Sequence, residues 1–316
     1  MSENTVILDP WNSKNNYITE EDIYKIFFNA GFGKTLDETK KVFKINGKEG
    51  LEFYQIAFVH PSYVKKCIMI NNFDKEDEEK EIKFTPKPEK VKVDLFEEHK
   101  QYENQEFLGD RVLDFTIANY IYNKYPDRDQ GFKTVLKTKL VKSSQLAKFA
   151  KFLNFPDHLV VSKQVEEKTN LGRFNDRILE DVMEAFICAI FLDQNLTACY
   201  SKELEDLNDN FIYKMGPGWQ IANAFIVKLI EKIVDFEELL AKEENYKEQL
   251  LQYYQKEFKI TPEYISIAVE GPPNKRIFTQ GVIDGVGNIV GRGIGKKKSE
   301  AEQKASLDAL KYFGVL

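Results

Sequence analysis

The sequence predicts a mostly α-helical protein that ends in a small α-β-β-β-α domain, and two patterns support this fold class. From about residue 101 to residue 240, apolar residues recur at spacings of three and four, which is typical of amphipathic helices. After about residue 243, short runs rich in Val, Ile and Gly alternate with turn sequences, which is typical of antiparallel strands. The 316 residues, 42% of them hydrophobic, are enough for two domains that each bury a core.

The N-terminal part of the chain is expected to begin with a frayed polar tail over residues 1–16. Thr19 is expected to cap the first helix, with Asp22 completing a capping box. A helix over residues 51–66 is expected to stop near Pro61, since proline disfavours helical backbone at the residue before it.

Charged residues dominate the segment from 74 to 100, where 7 Lys and 10 Asp or Glu make up 17 of 27 positions. The segment also contains Pro86 and Pro88. A composition so poor in apolar side chains cannot bury enough surface to fold by itself. We therefore expect an exposed insertion or a mobile loop that serves as a solvated spacer, with contact to a partner or substrate as the alternative.

The C-terminal part is expected to contain a helix, three strands and a second helix. The corresponding ranges are 245–257 for the first helix, 265–269, 278–283 and 288–292 for the strands, and 298–313 for the last helix. The chain therefore divides into two domains. These are an all-helical domain at residues 17–240, which contains the charged insertion, and an α-β-β-β-α domain at residues 245–316.

The net charge of −6 conceals a difference between the two domains. Residues 245–316 hold 11 Lys and Arg against 8 Asp and Glu, a net charge of +3, so the rest of the chain carries −9. Lys296, Lys297 and Lys298 follow a Gly-rich run and open the last predicted helix. Helix N-terminal N–H groups together with lysines suit phosphate oxygens, although a lysine run by itself is usually a solvated helix start.

Cysteine and histidine are rare, with three residues of each type and no CxxC pair. The sequence therefore argues against a zinc site and against a disulfide scaffold. No apolar stretch approaches ~20 residues, so we expect no membrane span. The N-terminus lacks a basic segment followed by an apolar one, and we expect an intracellular, cytoplasmic protein.

Two groups of carboxylates lie at helical spacing. Glu103, Glu106 and Asp110 share one helix face, and Asp181 and Glu184 lie one turn apart. Their neighbours are mostly apolar, so we expect both helices to be buried. For any one such pair, however, a solvated helix face is the commoner explanation, and the residue pattern alone leaves both interpretations open.

Buried carboxylates require cations, because an unpaired buried charge costs several kcal/mol or takes up a proton. Arg111 is the main basic side chain close to either group in the sequence. A divalent metal ion would neutralise several carboxylates at once. A site made only of carboxylate oxygens selects Mg²⁺ or Mn²⁺ rather than zinc.

Three segments resemble the ribonuclease III family. The run Glu-Asn-Gln-Glu-Phe-Leu-Gly-Asp-Arg-Val-Leu at 103–113 is similar to the family signature. Residues 57–63 are similar to its first helix motif, and residues 181–193 to its second acidic motif. The C-terminal unit resembles a double-stranded RNA-binding domain. The resemblance covers about residues 20–316 apart from the charged insertion.

The resemblance implies a homodimeric endoribonuclease for RNA processing that uses Mg²⁺, or Mn²⁺ in its place, to cut double-stranded RNA. It implies products with 5′-phosphate and 3′-hydroxyl ends and short 3′ overhangs. Asp110 and Glu184, with Glu103, match catalytic residues, and Phe107 matches a residue that packs into the partner subunit. The implied metal ligands are Glu106, Asp110, Asp181 and Glu184.

The resemblance also implies which residues of the C-terminal domain contact RNA. The loop after the first strand resembles one that enters the minor groove, the first helix offers a second minor-groove contact, and the lysine run contacts phosphates. The residues implied are Gln249, Gln252, Asn274, Lys275, Arg276, Lys296, Lys297 and Lys298.

The sequence departs from the family pattern at several points. Gln130 stands where the family commonly has an acidic residue, Cys188 where it has Gly, and Asn274 where it usually has His. The alternative to an active nuclease is a non-catalytic protein that sequesters duplex RNA. A third possibility is a processing subunit that docks another protein through the charged insertion.

Overall fold

The computed structural model describes residues 5–65, 81–168, 171–197, 216–236, 239, 246–272 and 276–316. The chain forms two compact units, Met1–Val234 and Asp235–Leu316. The predicted fold class is confirmed: over the described residues the first unit is mostly helical, and the second contains a three-stranded sheet with two helices. The predicted boundary at 240–245 lies outside the described residues and stays a prediction.

The first unit is built around one central helix. Within the described residues its α-helices are α1 (Glu20–Ala30), α2 (Leu36–Val42), α3 (Gly47–Ala57), α4 (Glu103–Lys124), α5 (Gln130–Leu140), α6 (Ser143–Phe152), α7 (Lys163–Lys168), α8 (Asp176–Asn195) and α9 (Gly218–Ile233). Helix α8 packs against α3, α4, α6 and α9, and its residues from Val182 to Ile190 are buried apart from Glu184. Phe186 lies at the centre, with aromatic neighbours that include Phe27, Phe155 and Phe225.

The capping box predicted for α1 is confirmed. The amide of Asp22 donates to Thr19 Oγ1 at 3.3 Å, and the amide of Thr19 donates to Asp22 Oδ2 at 3.2 Å. The helix predicted at 51–66 is wrong at both ends, because α3 spans Gly47–Ala57. After α3 the backbone of His60 is extended, as expected before a proline, and its amide donates to Val160 O at 3.0 Å.

The frayed tail predicted at residues 1–16 is wrong for the residues that the structure describes. Strand β1 (Thr5–Leu8) pairs in parallel with strand β2 (Glu81–Phe84). Asn12 and Asn15 are buried, and both side-chain amides donate to Val161 O. Polar residues that suggested solvent exposure therefore satisfy backbone groups of the helical domain.

The charged insertion is also anchored rather than mobile over its described part, residues 81–100, whereas residues 74–80 lie outside the described residues. Val91, Val93 and Leu95 are buried, and their period-two spacing puts them on one side of an extended segment. The last two join a cluster made of Leu8, Val59, Tyr63, Val64, Val93, Leu95 and Val160. The prediction of mobility failed because apolar residues of the insertion pack onto other parts of the chain, whereas most of its charged side chains are exposed as expected.

The second unit contains α10 (Tyr246–Glu257), β3 (Glu263–Glu270), β4 (Ile277–Ile283), β5 (Ile289–Gly295) and α11 (Lys298–Tyr312), in the predicted order. The strands form an antiparallel sheet in the order β3-β4-β5. Helix α11 lies close against β5, because a Cβ at Gly293 would be 2.1 Å from the carbonyl oxygen of Ala301. Glycine is therefore required here for close backbone packing.

No helix in the described ranges is long and apolar enough to cross a membrane. Cys188 is a buried free thiol, and burial raises its pKa to about 12, which leaves it unreactive at neutral pH. Cys67 and Cys199 lie outside the described residues.

Candidate active site

The two acidic groups are brought together by the packing of α4 on α8. Gly109 lies against α8 so closely that a Cβ there would be 1.9 Å from the carbonyl oxygen of Glu184 and 3.3 Å from Cys188 Cβ. A larger residue at 109 would force the helices apart. Asp110, the next residue, is consequently near enough to Glu184 for its charge to act on that carboxyl group.

Burial and mutual repulsion shift the pKa values of the carboxylates. Burial, followed by repulsion from Asp181 and Glu103, raises the pKa of Glu106 to about 7. Burial, followed by repulsion from Asp110 and Glu180, raises the pKa of Glu184 to about 8. Burial likewise raises the pKa of Asp181. Such mutual effects show that the α4 and α8 groups form one electrostatic cluster at the helix surface.

The burial expected for these helices is only partly correct. Glu103 is exposed, and Glu106, Asp110, Asp181 and Glu184 are half-buried at the edge of the helix pair. Helix α4 is not buried on all sides. Three of its large side chains are exposed to solvent, namely Phe107, Phe115 and Tyr122. A half-buried edge leaves the carboxylates accessible to a ligand.

Three of the carboxylates have a polar partner. Arg111 pairs with Asp110, with Nη2 and Oδ2 2.7 Å apart. The basic side chain that the sequence offered as a partner therefore neutralises one carboxylate and not the whole group. Gln101 Nε2 donates to Glu103 Oε2 at 2.8 Å. The third partner, Tyr102, donates its hydroxyl to Asp181 Oδ2 at 3.1 Å.

The chemistry of this donor set fits a divalent cation with oxygen ligands. The members of the set, Glu106, Asp110, Asp181 and Glu184, are all carboxylates, and three of them have pKa values raised by burial and by negative neighbours. A cation would relieve that repulsion. Within the described ranges, no three acidic, His or Cys side chains are grouped closely enough to hold an ion as they stand.

Sequence reasoning missed two residues of the cluster. Tyr102 is uncharged at neutral pH, so nothing in its residue type marked it as part of a ligand site. Glu180 raises the pKa of Glu106, Asp181 and Glu184 through its charge, although burial is the larger cause in each case. Its position directly before Asp181 was the available signal.

The predicted RNA contacts lie on the surface of the second unit. Gln252 is exposed and Gln249 half-buried on α10, and Arg276 is exposed before β4. Lys297 occupies the N-cap position of α11 and Lys298 its first turn, with Lys296 one residue earlier. Asn274 and Lys275 lie outside the described residues.

The remaining predicted positions also have defined environments. Phe107 is 71% exposed on α4. Gln130 is exposed at the first turn of α5, where the preceding Asp129 caps the helix through the amide of Phe132 at 2.8 Å. Cys188 faces Gly109 across the α4–α8 contact, so its side chain fills space between the helices.

Comparison with known proteins gives matches over both units. The Ribonuclease III domain matches residues 103–195, and the Double-stranded RNA binding motif matches residues 246–313. Ribonuclease 3 of Chlorobaculum tepidum is 32% identical over 68% of this chain and 70% of its own. Ribonuclease 3 of Bacillus cereus is 35% identical over 67% of this chain and 76% of its own.

A solved structure gives a weaker match. The nuclease domain of ribonuclease III from Campylobacter jejuni aligns with 66% of this chain and 96% of its own, at 22% identity and a TM-score of 0.40. The domain matches, the sequence identities and the two acidic groups on one helix pair together identify the family of the chain. It belongs to the ribonuclease III family of double-stranded RNA endonucleases.

Proposed function

We propose that the protein is a Mg²⁺-dependent endonuclease that cuts double-stranded RNA as a homodimer, with Mn²⁺ as a substitute ion. The products carry 5′-phosphate and 3′-hydroxyl ends with short 3′ overhangs, and the biological role is RNA processing in the cytoplasm. The observation that carries the proposal is the carboxylate cluster of α4 and α8, in which burial and mutual repulsion raise the pKa of Glu106 and Glu184.

Four side chains are proposed to hold the ion, namely Glu106, Asp110, Asp181 and Glu184. When bound, Mg²⁺ supplies Lewis-acid stabilisation of the negative charge that develops during phosphodiester hydrolysis. The chain itself fixes the carboxylates on two rigid helices through the contact at Gly109. Rigid support matters because catalytic groups must hold their geometry within a fraction of an ångström.

The exposed acid Glu103 and the exposed ring of Phe107 are proposed to serve the RNA and dimer surfaces. Both lie at the start of α4, and Phe107 lies directly after the proposed ligand Glu106. A large apolar side chain that is exposed on a single subunit is suited to burial in a second copy. A homodimer would then place two carboxylate clusters on one duplex, one for each strand.

The second unit is proposed to hold the duplex by its shape. Gln249 and Gln252 on α10 and Arg276 before β4 offer donors for the minor groove, and the Lys296–Lys298 run offers charge for phosphates. Recognition of this kind reads the A-form surface and its 2′-hydroxyls rather than a base sequence.

The decisive experiment incubates a long RNA duplex with the protein over a range of Mg²⁺ concentrations and maps the ends of the products. We expect short duplex fragments that accept ligation through a 5′-phosphate, and no cleavage in EDTA. Analytical ultracentrifugation gives the subunit number in the same buffer. Intact duplex at every metal and salt concentration would leave the sequestering protein as the better description.

A further inference from the structure

Tyr102 lies at the junction of the two helices that carry the acidic cluster. Its hydroxyl donates to Asp181 Oδ2 at 3.1 Å, and the residue is only 3% exposed. It directly precedes the segment that matches the Ribonuclease III domain, which begins at residue 103. The hydrogen bond therefore ties the start of α4 to Asp181 on α8.

The phenol is itself held in place. The amide of Tyr102 donates to Val59 O at 3.0 Å, and its ring meets the ring of His60 edge-on, with centroids 5.6 Å apart. Its carbonyl accepts from the amides of Gln105 and Glu106 at 2.9 and 2.8 Å. A side chain fixed at both backbone groups and at its ring is a rigid donor, so the carboxylate that accepts from it takes a defined orientation.

We propose that Tyr102 is a positioning residue for Asp181, which orients this carboxylate for binding a divalent cation. The hydrogen bond to Oδ2 uses one of the lone pairs of the carboxylate and fixes the orientation of the group, while other lone pairs stay available to an ion. Hydrogen bonds from outside the ligand set commonly fix metal ligands in this way. The inference rests on the proposed metal dependence and adds a residue that carries no charge and does not touch the ion.

The test compares Tyr102→Phe with the wild type and with Tyr63→Phe as a matched control. Tyr63 is also buried, and its hydroxyl donates to a backbone carbonyl, Val93 O at 2.9 Å, rather than to an acidic residue. Each substitution removes one buried hydroxyl and the hydrogen bond that it donates. All three proteins are compared below the lowest of their melting temperatures, so that unfolding does not contribute.

Two readouts separate positioning from general packing. In Tyr102→Phe, the Mg²⁺ concentration for half-maximal cleavage is expected to rise roughly 10-fold, with kcat at saturating Mg²⁺ within about twofold of the wild type. The dissociation constant for Mn²⁺ alone, measured by electron paramagnetic resonance without RNA, is expected to rise by a similar factor. Tyr63→Phe is expected to leave both quantities unchanged.

Several outcomes would overturn the assignment. Unchanged Mn²⁺ affinity in Tyr102→Phe, or an equal loss in Tyr63→Phe, shows that the hydroxyl does not act through Asp181. A fall in kcat at saturating Mg²⁺ with an unchanged metal midpoint also contradicts it. Cleavage by the wild type in EDTA would instead contradict the proposed metal dependence, so the two failures are distinguishable.

Discussion

Gly109 and Glu184 meet across α4 and α8 with no room for a side chain between them, since a Cβ at 109 would be 1.9 Å from the Glu184 carbonyl oxygen. The contact sets the separation of the two helices that carry the carboxylates. A single methyl group at this position therefore tests whether helix separation controls both stability and cleavage.

Gly109→Ala is expected to lower the free energy of unfolding by about 1–3 kcal/mol, because overpacking forces backbone shifts, and to weaken Mg²⁺-dependent cleavage. Urea unfolding and cleavage rates measure the two effects. Gly131→Ala is the control, since a Cβ at this position on α5 has only Asp129 Oδ1 nearby, at 3.5 Å. A stability loss as large for Gly131→Ala as for Gly109→Ala would contradict the explanation.

Glu184→Gln is expected to reduce cleavage by about 100-fold or more while duplex RNA still binds. Loss of a residue that merely orients a metal ligand costs 10–100-fold in many sites, so loss of a ligand should cost at least the upper end of that range. Cleavage assays and binding in Ca²⁺ measure the two properties. Glu180→Gln, one turn earlier, removes a neighbouring charge but no proposed ligand, and it should keep cutting.

The raised pKa values predict how stability depends on pH in EDTA. The folded-state pKa of Glu184 is about 8, above its ordinary value of 4.5, so the folded protein binds a proton that the unfolded chain has already lost. Stability should therefore fall as pH rises from 4.5 to about 8. Burial of His60 lowers its pKa to about 4, which has the opposite effect, but only below pH 6.5.

Urea titrations between pH 6.5 and 8.5 therefore isolate the carboxylates from His60. In EDTA, the Glu184→Gln variant should become more stable relative to the wild type as pH rises. The wild type loses stability when Glu184 ionises, whereas the amide cannot ionise. Saturating Mg²⁺ should reduce the pH dependence of the wild type, since metal binding requires the ionised carboxylate. A difference that is constant with pH would show that Glu184 does not titrate in this window.

The N-terminal strand offers a test of the anchored insertion. Leu8 is 8% exposed and lies in the cluster with Val93 and Leu95, whereas its neighbour Ile7 is 61% exposed. Leu8→Ala is expected to lower the free energy of unfolding by about 2 kcal/mol and to speed proteolysis within residues 81–100. Ile7→Ala should change stability by no more than about 0.5 kcal/mol. Equal effects would show that β1 does not anchor the insertion.

The lysine run predicts a particular salt dependence. A double substitution, Lys296→Ala with Lys297→Ala, should weaken duplex RNA binding. It should also reduce the slope of log affinity against log salt by roughly 0.9 for each phosphate that the variant no longer neutralises. Fluorescence anisotropy over a salt series measures the slope. Lys311→Ala, in the last turn of α11, should leave the slope unchanged, and an unchanged slope in the double variant would remove the lysine run from the interface.

The sequence by itself determined the helical fold, the C-terminal sheet and the grouping of acidic residues. These follow from local spacing. Glu106 and Asp110 share a helix face because of the helical period, and Ile277 to Ile283 form a strand bounded by turn residues. The five acidic residues, from Glu103 to Glu184, could therefore be named before any tertiary contact was known.

Only the tertiary structure decided how distant segments meet. The pairing of Thr5–Leu8 with Glu81–Phe84 joins two strands of four residues each, which are too short to predict from either segment alone. The bond from Tyr102 to Asp181 likewise depends on the packing of α4 on α8. Local sequence encodes the hydrophobic period of each element, whereas burial and the choice of packing partner are set by the whole fold. For this reason neither the anchoring of the insertion nor the hydrogen bond of Tyr102 could be predicted from the sequence.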